Sequence, residues 1–459
     1  MLNKIIHYYS DKEYFSNIYR IGFPIFIQQL AFSGLNMLGV VFVGQKGEAS
    51  VAAVGLASQL AFLLNLVHFG VISGAAMFTA QFWGKGDIPN LRRVLGLCLI
   101  LAVSFSLVFL ALSQFFPEQV LRIYSEDEEV IALGIDYIRT FSWTFLFFAI
   151  TFSFAMVMRS TGNVKIPTYI GVVALSISTF LSYAFIFGKF GFPEMGIQGV
   201  AIAAVIARGF ECVALIVIIY ITKSPVAGSL KELFDFDFSF FKKVISPMLP
   251  VILNELFWSL GITAYFVIYG RMGTESISAF NIVSSIEQVA FTLFIALSNA
   301  TSVNVGNRIG AGKEDEAYLY AGRSLGLGAV GGILTGILLQ IIKLPVLSLF
   351  NVSPDVLQNA GNIINMASFF LWVRINNMTI VVGILRAGGD TKFSMFLDGI
   401  IIWIVGVPLA AIGAFVWDLP VHFVYLCAMS EEATKWILGL NRYFSRKWIH
   451  NLAAHLEGV

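Results

Sequence analysis

Charge is scarce in this sequence. Of 459 residues only 12% are Asp, Glu, Lys or Arg, about half the share typical of soluble domains. That deficit argues against a soluble enzyme and excludes a disordered chain. An excess of one sign is missing too: 29 Lys and Arg balance 28 Asp and Glu, so no basic field draws nucleic acid. Cysteine is limited to Cys98, Cys212 and Cys427, each inside an apolar run. They exclude a disulfide scaffold and read as small buried hydrophobes. The five histidines are scattered, with no HExxH or Cys/His cluster to support a zinc site. What is abundant is apolar: 58% of the residues, with a mean hydropathy of +0.82. The chain reads as a polytopic membrane protein.

A helix needs about 20 mostly apolar residues to cross a bilayer. Apolar runs between turn-forming clusters give twelve candidates, at about 18–43, 51–82, 92–115, 131–158, 166–188, 196–222, 244–269, 277–307, 318–344, 360–386, 392–416 and 420–442. Runs such as Leu95 to Leu112 do not alternate apolar with polar, which excludes a β-barrel. Residues 1–17 carry Asp11, Lys12 and Glu13 and read as a cytosolic lead-in, not a signal peptide. With twelve spans, the side shared by both termini collects twenty-one Lys and Arg, counting Arg323, Arg386 and Lys435 at span ends; the other side has five. The bias predicts cytoplasmic termini.

The chain also repeats itself. Pro24, Gly44, Gly47 and Ala53 recur at Pro250, Gly270, Gly273 and Ala279, each 226 residues on. Gly84-Lys85-Gly86 recurs as Gly310-Ala311-Gly312, and after one inserted residue Arg159 recurs at Arg386 and Pro193 at Pro420. Six spans per period is an even number, so the halves insert in the same orientation. The expected fold is all-α, with twelve transmembrane helices in two six-helix lobes around a central cleft. The divisions fall at 1–225, a linker at 226–243 and 244–459. Two lobes of this kind suit alternating access.

A charge at mid-bilayer costs about 2.5–3.5 kcal/mol on insertion scales, so it usually marks function. The second lobe places Glu255, Glu287, Arg374, Asp398, Glu431 and Glu432 inside spans. Their repeat mates are Gln29, Ala61, Phe147, Gly171, Ala204 and Val205, all neutral; the shared fold does not require these charges. Polar neighbours accompany them: Asn254, Asn281, Ser284, Gln288, Asn376 and Asn377, with Gln29 and Asn36 in the first lobe. Two readings remain open, a structural network in which Arg374 neutralises one or two acids, and a coupling site for Na⁺ or a proton. The favoured coupling set is Glu255, Glu287, Asp398 and Arg374. In the first lobe, Arg208 with Glu211 and Asp136 with Arg139 stand three apart and are expected to pair.

With repeat and acids located, the chain resembles the multidrug and toxic compound extrusion (MATE) family. The resemblance runs through Pro24, Phe42-Val43-Gly44, Ala52-Ala53-Val54-Gly55, Gln81-Phe82-Trp83-Gly84-Lys85-Gly86, Arg159-Ser160-Thr161-Gly162-Asn163 and Pro193-Glu194-Met195-Gly196. It continues through Asn307-Arg308-Ile309-Gly310-Ala311-Gly312 and Leu385-Arg386-Ala387-Gly388-Gly389-Asp390-Thr391. The resemblance implies a bacterial inner-membrane antiporter that exports drug-like, often cationic and amphipathic molecules against Na⁺ or H⁺. Such a protein is a monomer in lipid, with no cofactor and no nucleic-acid partner, and is not an enzyme. Glu255 matches the family's span-seven glutamate, a candidate Na⁺ ligand. Ile375 stands where one branch has a span-ten aspartate, and Gly39 where another has a span-one aspartate. The alternative of similar architecture is a flippase for lipid-linked precursors, which would line its first lobe with several bases.

Overall fold

The structure is a computed structural model describing residues 8–350 and 352–454. Among these residues there is no β-strand, only an isolated bridge between Gly389 and Ile449. The apolar runs become helices because backbone polar groups in a bilayer have no partner but each other. In the first half these are α1 (Lys12–Gly44), α2 (Glu48–Lys85), α3 (Ile88–Phe115), α4 (Glu128–Phe141 with Thr144–Ser160), α5 (Lys165–Phe187) and α6 (Gly196–Ile221). In the second they are α7 (Phe238–Arg271), α8 (Thr274–Gly310), α9 (Glu314–Leu347), α10 (Pro354–Arg386), α11 (Thr391–Phe415) and α12 (Val421–Phe444).

Ten of these are long and apolar enough to cross a membrane, and α4 adds an eleventh if its two parts count as one span. The fourth span is not a straight rod: it bends by 43° between Phe141 and Thr144. The 24-residue α12 falls outside that apolar set, because Glu431, Glu432 and Lys435 make it polar; it is the twelfth helix of the repeat.

The chain divides into two units, one of Phe23–Val244 and one joining the chain up to Gly22 to the chain from Ile245 onward. Helix α1 therefore starts in the second lobe's unit and ends in the first. Its start is strapped down locally. Arg323 Nε donates to the Tyr8 carbonyl at 2.8 Å, and its guanidinium meets Asp11 at 2.5 Å. Tyr14 Oη lies 2.9 Å from Ser324 Oγ, and Arg308 pairs with Glu13 at 3.0 Å.

Small residues set the packing within each unit. On α9, Gly328, Gly332 and Gly336 recur every four residues and lie against α10. A Cβ on Gly332 would lie 2.5 Å from Trp372 Cα, and one on Gly336 at 2.5 Å from the Ser368 carbonyl. This is the small-residue spacing through which membrane helices approach closely. In the first unit, Gly96 of α3 receives the carbonyl of Leu233, where a side chain would collide. That seats the linker helix Leu230–Leu233, started by a capping box from Ser229 and Glu232. Arg92–Glu232 at 2.7 Å and Arg93–Asp235 at 2.9 Å fasten it.

Candidate functional site

Eight charged residues of the second lobe, the six read from the sequence with Arg386 and Lys435, are gathered by helix geometry. Helices α10 and α11 carry π-helical stretches at Thr379–Arg386, Met395–Ile400 and Ile402–Gly406. An extra residue per turn re-aims side chains, a common device at functional sites. Arg386 ends the first stretch and Asp398 sits in the second.

Three clusters result. In the first, Arg386 Nη2 lies 2.7 Å from Glu255 Oε1, with the two residues 2% and 8% exposed. In the second, the Lys435 ammonium lies 3.2 Å from Asp398 Oδ1 and 3.5 Å from Glu431 Oε1. Asn254 Nδ2 donates to the other Asp398 oxygen at 3.0 Å. Both Glu431 Oε2 and Tyr265 Oη are buried and have no neighbour to bond with other than each other. They converge on Gly406, where any Cβ would collide with both oxygens. In the third, Arg374 pairs closely with Glu287, which also accepts from Tyr425 Oη at 2.8 Å. Arg374 lies 3.9 Å from Glu432, and Asn377 Nδ2 donates to that carboxylate at 2.6 Å.

Five carboxylates therefore face three bases, a surplus of two negative charges. The surplus is not evenly placed. Glu255 has a base of its own, whereas Lys435 and Arg374 are each shared by two acids.

Several expectations change. Arg374 does face two acids, Glu287 and Glu432, but Glu255 is paired with a base not expected there, Arg386. Arg386 and Lys435 were counted as loop-side cations, yet both are buried within the lobe, Lys435 at 1% exposure. They stand near span ends, which hid them. The available signal was the repeat, which places Arg159 opposite Arg386 and Arg208 opposite Lys435. Asn281 and Gln288 are exposed rather than gathered on Glu287, and Ser284 is half-buried. Asn376 donates to the Trp372 carbonyl of its own helix at 2.9 Å. Ile375 is fully buried against Gly328 and Gly332, so that position faces packing. Gln29 is half-buried; its neighbour Gln28, mate of Asn254, accepts from Arg159 Nη2 at 2.7 Å. The side chain of Asn36 lies outside the described residues.

The first lobe is a reduced copy. Arg208 and Glu211 pair at 2.6 Å, as expected. Asp136 and Arg139, also expected to pair, are both exposed and form no ion pair with each other. A Cβ on Gly171, mate of Asp398, would lie 3.0 Å from Gln28 Nε2 and 3.4 Å from Glu211 Oε1. Glu211 thus brings a carboxylate close to where Gly171 supplies none. His68 is fully buried, with Nε2 at 2.9 Å from Ser106 Oγ and 3.1 Å from the Ala102 carbonyl.

The MatE family profile matches this chain twice, at residues 24–184 and 250–412. The two matches begin 226 residues apart, the offset of the internal repeat. An uncharacterized transporter, YisQ of Bacillus subtilis, is 24% identical over 96% of each chain. A probable multidrug resistance protein, NorM of Agrobacterium fabrum, is 27% identical over 86% of each. Among solved structures, a mutant of the Vibrio cholerae MATE transporter VcmN superposes with a TM-score of 0.87 at 17% identity, covering 96% of this chain and 98% of its own. A MOP superfamily transporter from Pyrococcus furiosus gives 0.83 at 18%, covering 95% and 96%. The structural likeness concerns the fold. Together with the repeated family match, it makes this chain a membrane transporter rather than an enzyme: it belongs to the MatE family of multidrug efflux transporters.

Proposed function

We propose that the protein exports drug-like, cationic and amphipathic small molecules by alternating access, coupled to inward Na⁺ or H⁺ through second-lobe carboxylates. Of the five acids Glu255, Glu287, Asp398, Glu431 and Glu432, the candidates are the four that share a base, Glu287 and Glu432 at Arg374 and Asp398 and Glu431 at Lys435. The observation that carries the reading is a surplus of two negative charges over Arg374, Arg386 and Lys435, among acids that are buried (Glu255, Glu287, Glu431) or half-buried (Asp398, Glu432). Buried carboxylates without a base must take a proton or a cation, and either can be driven by an ion gradient. The surplus falls on Asp398 with Glu431 and on Glu287 with Glu432, so these shared acids are the exchangeable ones, while Glu255 keeps Arg386 in place.

The reading places the chain in a bacterial inner membrane as a monomer with both termini cytoplasmic. The multidrug resistance names of relatives such as NorM support the substrate class. A phosphate-holding flippase gains no support from the first lobe, where Arg208 is matched by Glu211.

Transport in proteoliposomes with Na⁺ and H⁺ gradients imposed separately tests the reading. Export of an amphipathic cation should follow one of the two gradients. Flux indifferent to both would overturn it.

A further inference from the structure

The two shared bases of the second lobe differ in chemistry. Arg374 reaches Glu287 through Nη1 of a planar guanidinium, and Tyr425 Oη donates to the same carboxylate. Lys435 is a compact point charge on a flexible stem, nearly equidistant from Asp398 Oδ1 at 3.2 Å and Glu431 Oε1 at 3.5 Å. The two acids come from different helices: Asp398 from α11, and Glu431 one turn earlier on the same α12 as Lys435. Asn254 holds Asp398 from the far side, whereas Glu431 Oε2 has beside Gly406 only the Tyr265 hydroxyl and no base.

The repeat sharpens the contrast. The matching position in the first lobe is Arg208, closed at 2.6 Å onto the single acid Glu211. Where one lobe has an arginine with one acid, the other has a lysine between two.

We propose that Lys435 is a tethered counter-ion of the coupling site. Its ammonium fills one of the two monovalent positions that Asp398 and Glu431 offer, leaving room for a single exchangeable cation or proton. When that ion reaches Glu431, the ammonium swings toward Asp398; when the ion leaves, it returns to the shared position. Lys435 is a positioning residue that sets how many ions move per substrate. The inference rests on second-lobe coupling and adds to it the assignment of the ion ratio.

The experiment measures the ion-to-substrate ratio from the potential at which net flux vanishes in proteoliposomes. Lys435→Met removes the ammonium and keeps much of the stem, so the charge of the pair goes from −1 to −2. The ratio should rise by one ion per substrate. A folded, active Lys435→Met protein with the wild-type ratio overturns the proposal. If Lys435→Met does not fold, the double variant Lys435→Met/Asp398→Asn, which restores −1, should fold and show the wild-type ratio. A double variant that also fails to fold, or whose ratio differs, overturns it, because the lysine is then needed for packing and not for its charge. Failure of the underlying coupling reading shows separately, as wild-type flux independent of both gradients.

Discussion

Two buried glutamates of the second lobe differ in what their loss leaves behind. Removing Glu255 takes away the carboxylate 2.7 Å from the guanidinium of Arg386, a base only 2% exposed. Breaking a buried pair from one side costs about 3–5 kcal/mol. Glu255→Gln is therefore expected to lower the melting temperature and the yield of folded protein, with gradient dependence retained per folded molecule. Removing Glu431 leaves Lys435 with Asp398 at 3.2 Å, so no base is stranded. Glu431→Gln should fold normally and lose gradient-driven export while still binding substrate. Thermal stability and transport measured on both variants check the pair. A stable, uncoupled Glu255→Gln protein would return the coupling role to Glu255. A destabilised Glu431→Gln protein would make that acid structural.

At the scale of the helix, close approach and strapping set the mechanics. The contact of α9 with α10 leaves no room for a methyl group: a Cβ on Gly332 meets the Trp372 backbone at 2.5 Å, which cannot rotate aside. Gly332→Ala should destabilise the second lobe by about 1–3 kcal/mol, the usual cost of overpacking. The same change at Gly34, whose Cβ would meet nothing, should be silent in a thermal-shift comparison. The strap before α1 adds a pH dependence. Burial pushes the Asp11 carboxyl up, but the Tyr14 N–H and the Arg323 guanidinium outweigh it and hold the group below its ordinary value. A carboxylate lowered by folding stabilises above its unfolded pKa, and that stabilisation is lost as pH falls through the folded value. Protection of the strap from proteolysis should fade below about pH 4, at the lower edge of the ordinary carboxylate range. Asp11→Asn should be less protected at neutral pH and show no such fading.

Over the whole molecule, the charge bias that orients the chain survives correction. Taking Arg386 and Lys435 out of the count leaves nineteen basic residues against five. Ion pairs within each unit join segments that the topology puts on one side. Lys46 meets Glu194 at 2.5 Å on the side of the α1–α2 and α5–α6 loops, and Arg446 meets Asp315 at 2.6 Å on the side of the α8–α9 loop and the carboxyl-terminal segment. Single cysteines at Lys46, Glu126 and Arg271 should react with an impermeant thiol reagent added outside intact cells. Those at Lys85, Lys231 and Lys313 should stay unlabelled until the membrane is opened. Reversal of the pattern would invert the orientation, and one loop labelling from the wrong side would break the span count.

The sequence by itself determined the membrane class, the twelve helices, the twofold repeat and the family, because these depend on apolar length and on offsets along the chain. It also located the second-lobe acids, since charge inside an apolar run is visible without coordinates. Which base meets which acid was decided only by the tertiary structure. Glu255 and Arg386 are 131 residues apart, and Asp398 and Lys435 are 37 apart; no local pattern links them. The π-helical turns of α10 and α11, which hold Arg386 and Asp398, add residues that a 3.6-residue period does not anticipate. Lys435 shows the limit most clearly. Near a span end a lysine reads as a cation on its way to water, and only packing around it reveals that it never gets there.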